Sequence, residues 1–157
     1  MPAMRTIGMT TVIALEDGAG PFFEPRRDAF PDATPDQWRR ADLLDPRSVT
    51  RDGEWHLHFR CFAIRLADTT VILVDAGIGP AGAPGSSWTP VPGRLPGELA
   101  AAAIDPAEVS TVVLTHLHSD HIGWAVVGEP GRPYFPNASY LIQRVEATAI
   151  ERRSPSV

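Results

Sequence analysis

The 157-residue sequence contains no lysine: all 14 of its basic side chains are arginine, set against 19 acids for a net charge of -5. Neutralising nucleic-acid phosphates takes a basic excess that this chain lacks, so a nucleic-acid partner is not expected. There is one cysteine, Cys61, which leaves no internal disulfide to form and points to a reducing, cytoplasmic setting. Long hydrophobic runs are missing as well. The apolar stretch 7–15 is interrupted by Gly8 and by threonines and has no small-residue cleavage site behind it, unlike a secretory leader, and nothing reaches membrane-spanning length. No internal repeat or low-complexity tract occurs. What remains, 43% hydrophobic and 21% charged residues with 16 prolines and 13 glycines, is the composition of one globular domain rich in turns.

The apolar patterning predicts a first strand over 6–15, followed by a turn at Asp17-Gly18. Thr34-Pro35-Asp36 supplies an N-cap, a proline in the first turn and an acid, with Trp38, Ala41 and Leu44 behind it, which predicts a short amphipathic helix. A long strand is expected over 55–66, with Trp55, Leu57, Phe59 and Cys61 on one face and His56, His58 and Arg60 on the other. From Phe62 onward the second face turns apolar too, as in a strand that bends or enters a two-sided core. Val71–Val74 reads as a buried strand ended by Asp75. Residues 76–94, dense in Gly, Pro and Ser around Trp88, read as a long loop at a functional lip. A helix over 96–104, a capped turn at 105–108, a strand at Val109–Leu114, another at Ser139–Ile142 and a helix over 145–153 complete the pattern. Strands and helices alternate in the second half after a hairpin-like first half, so the expected class is α/β, bordering on α+β, with a mixed sheet.

The chemistry is concentrated in Thr115-His116-Leu117-His118-Ser119-Asp120-His121, where three of five histidines and an aspartate follow directly on an apolar strand. Residues two apart in an extended exit face the same way, so His116 and His118 present two imidazoles to one point. If Ser119 or Asp120 then caps a helix, Asp120 and His121 turn back toward the same cavity. Imidazole and carboxylate donors suit Zn²⁺, and also Fe or Mn. His56 and His58 share a strand face but read better as hydrogen-bonded strand residues, and Cys61 as a small core residue. Trp88 is read either as a substrate contact or as a pin for its loop.

The motif H-x-H-x-D-H at a strand end resembles that of the metallo-β-lactamase-fold hydrolases. Leu73-Val74-Asp75-Ala76-Gly77-Ile78-Gly79 is similar to the family's strand ending in an aspartate and a glycine turn, with alanine where threonine is commoner. Residues 133–140 are similar to a strand approach in its lactonase-like branch. The resemblance spans about residues 50–150 and implies an αββα sandwich with a dinuclear metal site. His116 and His118 would hold the first metal, and Asp120 and His121 the second, with two Zn²⁺ in a complete site. A metal-bridging hydroxide would attack a lactone, ester or related acyl substrate, Asp120 would orient it or pass a proton to the leaving group, and Asp75 would hold the ligand loop from behind. Asp75 is also readable as a plain turn-forming aspartate.

The chain departs from the family downstream of the motif. After His121 it has no His, Asp or Cys, and Glu129, Glu146 and Glu151 are the only remaining acids. The expectation is therefore a single, incomplete domain over 1–157, equivalent to the N-terminal half of such a sandwich. Its alternative function is that of a non-catalytic remnant or metal-binding module. An uncovered sheet face would favour homodimerisation or other self-association, with a small acyl molecule as the other partner.

Overall fold

Gly8, at φ +61°, turns the chain back on itself. The opening apolar stretch therefore forms two antiparallel strands, β1 (Ala3–Ile7) and β2 (Thr10–Pro21), where the sequence predicted one. Asp17-Gly18 is not a turn either. The register of β2 slips between Glu16 and Gly18, a bulge that lets the strand continue to Pro21 and tips Asp17 into the interior. The computed structural model describes residues 1–87 and 92–153, and the side chains of all of these except 86, 87 and 150–153; Trp88 lies outside the described residues.

After β2 come α1 (Arg26–Ala29) and α2 (Pro35–Leu44). Thr34 and Gln37 form a reciprocal capping box at the start of α2, as the local sequence predicts. Trp38 of α2 meets Phe30 and Trp55 edge-on, and Arg26 lies over the Trp38 ring while pairing with Asp42 at 2.7 Å, which ties this excursion to the start of β3. β3 (His56–Arg65) pairs antiparallel with both β2 and β4 (Val71–Val74). A single-turn helix at Pro84–Ser87 precedes α3 (Leu95–Ala101), which ends earlier than predicted because Ala103 adopts φ +52°. The Asp105/Glu108 capping box then leads into β5 (Val109–Leu114), α4 (Ser119–Ile122), the two-residue strands β6 (Val126–Val127) and β7 (Arg132–Pro133), β8 (Ser139–Ile142) and α5 (Arg144–Arg153).

The main sheet has the order β1-β2-β3-β4-β5-β8, antiparallel up to β4 and parallel from β4 through β8, so it is mixed and the fold is α/β. One face is the core. Ile13, Leu15, Cys61, Ala63, Leu73 and Val112 point from the strands onto Leu95 and Leu99, four apart on α3, and onto Trp124 and Phe135. Burying each of those leucines contributes about 1.5–3 kcal/mol. The opposite face is apolar as well. Ala14, Phe62, Val74, Val113 and Leu141 lie side by side across five strands, with Val12, Ile64 and Ile72 in the next row. These side chains stay half-buried or exposed, Phe62 at 40%. Among the described residues no helix is long and apolar enough to cross a membrane.

Candidate metal centre

The parallel pairing of β4 with β5 aligns Val74 with Val113, so the residues that follow the two strands leave the sheet at the same edge. The Asp75 amide donates to the Val113 carbonyl at 2.8 Å, and the residue itself adopts φ +61°, a left-handed conformation that aspartate tolerates better than most side chains. Its carboxylate turns under the motif. It accepts from the Thr115 amide at 2.8 Å, from the Thr115 hydroxyl at 2.9 Å and from His121 Nδ1 at 2.8 Å.

These contacts assign protons. An ionised Asp75 only accepts, so the single Thr115 hydroxyl proton is committed to it. Thr115 Oγ1 therefore accepts from His116 Nδ1, 3.1 Å away, which leaves His116 Nε2 unprotonated and an acceptor toward His118 Nδ1. His121 likewise spends Nδ1 on Asp75. One carboxylate thus orients two imidazoles, one directly and one through a hydroxyl, with Nε2 turned toward the rest of the motif in both. His116 Nε2 lies 3.1 Å from His118 Nδ1, and the His116 and His121 rings are 4.0 Å apart between centroids. Two nitrogens sharing a tetrahedral Zn²⁺ at its usual bond length stand about 3.3 Å apart, so the first pair suits one cation.

The second pair is Asp120 with His121. Asp120 Oδ2 is 3.4 Å from His121 Nε2. Asp120 on one side and Asp75 on the other raise the His121 pKa to about 9. Burial works against ionisation of Asp75 and Asp120, but the hydrogen bonds from His121, and for Asp75 also from Thr115, prevail and lower both. His118 stands at the N-cap of α4 and makes no side-chain cap, so neither Ser119 nor Asp120 caps the helix, and both already lie in the helical turn. Among the described residues no group of three or more His, Cys, Asp or Glu side chains is arranged to hold an ion. The expected ligands thus stand as two pairs, His116/His118 and Asp120/His121. The donors fit a zinc site in kind but not in number, since a catalytic zinc takes three protein ligands.

The charge pattern has a measurable consequence in the metal-free chain. His121 has a raised pKa, so its contribution to stability is complete below pH 6.5 and is lost as the pH rises through about 9. Asp75 and Asp120 have lowered pKa values, so theirs is complete above the ordinary carboxylate range and is lost on acidification. Denaturant unfolding is expected to show greatest stability between about pH 4 and 6.5, with a decline toward 9 that His121→Gln removes. An unchanged decline in that variant would show that the paired ring is not its source.

The other sequence candidates lie elsewhere. Both His58 ring nitrogens already have partners, Glu16 Oε2 at 3.1 Å and the Arg47 carbonyl at 3.2 Å. Cys61 is fully buried, and burial, reinforced by Asp17 and Asp75, pushes its thiol well up and out of reactive range. Glu129 is exposed, whereas Glu146 reaches back from α5 to accept from the Leu117 amide at 3.2 Å, inside the motif. Two residues at the site escaped the sequence reading, Glu146 in this role and Asp17. No local signal marks Asp17, because its partners lie 61 to 107 positions away.

A family model described as the metallo-beta-lactamase superfamily matches residues 60–127. The N-acyl homoserine lactonase AttM of Rhizobium johnstonii is 45% identical over 49 residues, 31% of this chain and 16% of that protein. Among solved structures, AidC, a dizinc quorum-quenching lactonase in complex with a homoserine product, superposes on 94% of this chain and 46% of its own with a TM-score of 0.73 at 21% identity. A probable metal-dependent hydrolase from Staphylococcus aureus does so over 96% and 52%, with a TM-score of 0.75 at 19% identity. The chain is a metallo-β-lactamase-fold protein. This metallo-β-lactamase-fold chain places its histidine motif at the exit of a parallel strand. It spans about half the length of the solved structures it matches.

Proposed function

We propose that this chain carries the histidine-motif side of a dinuclear, metal-dependent hydrolase acting on a lactone, ester or related small acyl substrate. The observation that carries the reading is the Asp75 carboxylate, which orients His116 through Thr115 and His121 directly, so that their Nε2 atoms face His118 and Asp120. In this reading His116 and His118 hold one metal and Asp120 and His121 the other, with Zn²⁺ favoured by the donors and Fe or Mn compatible with them. When bound, such a pair supplies a Lewis acid and a water acidic enough to act as hydroxide near neutral pH on the acyl carbon. Asp120, ionised and half-buried, would orient that nucleophile, or accept the proton released as it attacks and then pass that proton to the leaving group. Asp75 keeps the imidazoles in register from behind. The substrate class rests on the lactonases among the similar proteins. Cys61, unpaired and buried, accords with a cytoplasmic setting, and the exposed apolar sheet face with a homodimer or other self-association.

A second reading, a metal-binding module without turnover, is favoured by the lack of a three-donor group among the described residues. One experiment separates the two. Calorimetric titration of the 157-residue chain with Zn²⁺ is expected to show binding at least about 10–100-fold weaker than at a complete site, abolished in the His116→Ala, His118→Ala double variant. With an N-acyl homoserine lactone as probe, turnover should stay close to that of free zinc. Turnover that a chelator and Asp120→Ala both abolish would instead show a working site within the chain. Zinc binding that the double variant leaves intact would remove the motif from the site altogether.

A further inference from the structure

Asp17 is fully buried, and no cation pairs with it among the described residues. Its carboxylate accepts from the Ile78 amide at 2.6 Å, the Gly79 amide at 3.4 Å, the Leu95 amide at 2.6 Å and the Trp124 indole at 3.1 Å. Its carbonyl accepts from the Arg94 amide at 2.6 Å. A side chain at Gly77 or Gly93 would run into the same carboxylate, so glycine at these positions is the condition for so close an approach. The Gly93 amide bonds the Gly79 carbonyl at 2.7 Å, which closes the connection between them at its base.

Those contacts lead directly to the motif. Backbone bonds of 2.7 Å join Gly123 to Gly77, Trp124 to Ala76 and Ala76 to His121, so the turn after β4 and the segment after α4 form one zipped unit. Asp75 and His121 stand at one end of that unit, and Asp17 clamps the other through Ile78, Gly79 and Trp124. We propose that Asp17 is a positioning residue for the metal motif, a buried carboxylate that fixes the 76–79 turn and Trp124 and through them the His121 ring. The inference rests on the functional reading above. Every partner of the side chain is an N–H donor, so the position demands an acceptor with no hydrogen of its own. Asparagine has the right shape but sets an amide N–H against at least one donor, and alanine leaves them all unpaired.

The test uses the ¹⁵N-labelled chain without metal, reading the ring N–H signals of His121 by NMR, followed by Zn²⁺ titration. Three variants are compared: Asp17→Asn; Trp124→Phe, which deletes one donor and keeps an aromatic ring; and Val71→Ala, a core truncation remote from the clamp. Asp17→Asn is expected to shift and broaden the His121 signal and to weaken zinc binding about tenfold, the low end of what partners behind metal ligands contribute. Trp124→Phe should do the same to a smaller degree, and Val71→Ala should lower stability while leaving both readouts in place. If Asp17→Asn does not fold, Trp124→Phe decides. Loss of stability with an unmoved ring signal and unchanged zinc affinity would reduce Asp17 to a core hydrogen-bond hub and overturn the proposal. If the parent chain binds no zinc at the motif, the functional reading fails, while the ring signal still tests the clamp.

Discussion

Asp75→Ala is expected to cost about 3–5 kcal/mol of folding stability, the range seen when one partner of a buried charged pair is removed. It strips acceptors from the Thr115 amide, the Thr115 hydroxyl and His121 Nδ1 at once, and it leaves alanine in a left-handed conformation that costs a further 1–2 kcal/mol or so. Against a total stability of about 5–15 kcal/mol, such a loss removes a large share of what holds the chain folded. The informative companion is Asp75→Asn. Asparagine accepts the left-handed backbone and still offers an oxygen to Thr115, but it is neutral and presents a donor to one side. The fold should survive, the His121 pKa should fall from about 9, and zinc affinity should drop about 10–100-fold. NMR titration of His121 alongside calorimetry checks both, and wild-type values for Asp75→Asn would leave Asp75 as nothing more than a turn residue.

The second large effect concerns the outer face of the sheet. Ala14, Phe62, Val74, Val113 and Leu141 form one row across five strands, with Val12, Ile64 and Ile72 beside it, and a contiguous apolar surface of this kind is a docking or aggregation surface. The purified chain is expected to self-associate or precipitate at concentrations where a small acidic domain ordinarily stays monomeric. Phe62→Glu combined with Leu141→Glu should restore a monomer, because both positions open to solvent, at 40% and 54% exposure, where a carboxylate keeps part of its hydration and two like charges oppose face-to-face docking. Sedimentation velocity over a concentration series reads the outcome, with circular dichroism to confirm that the sheet is kept. A parent chain that sediments as a monomer at every concentration and melts sharply would show that this face needs no cover.

The clustering of His116, His118, Asp120 and His121 at the exit of β5 was legible in the sequence because it is local: all four lie within six positions after an apolar strand. The caps of α2 and of the 105–108 turn were legible for the same reason. Asp17 was not. In sequence Asp-Gly is a turn signal, and only its partners at 78, 79, 95 and 124 make it the interior side of a bulge. Gly8 misled in the opposite sense, as a glycine in a strand pattern that proved to be the hairpin turn itself. The β6/β7 pair has two residues per strand, too short for any alternation to register.

The spatial order of the main sheet follows the order of synthesis, since each strand lies beside the one made before it, apart from the small β6/β7 ribbon. Neighbouring strands can therefore pair in order as they emerge from the ribosome, β1 with β2 and β3 with β4 across short loops and the others across the longer connections 22–55, 75–108 and 115–138. The ties around the candidate site span 40 positions from Asp75 to Thr115 and 107 from Asp17 to Trp124. On a growing chain those bonds wait until residue 124 has appeared. Strands β1 to β5 are then available for pairing before the candidate site is tied together, and only β8, at 139–142, joins the sheet afterwards.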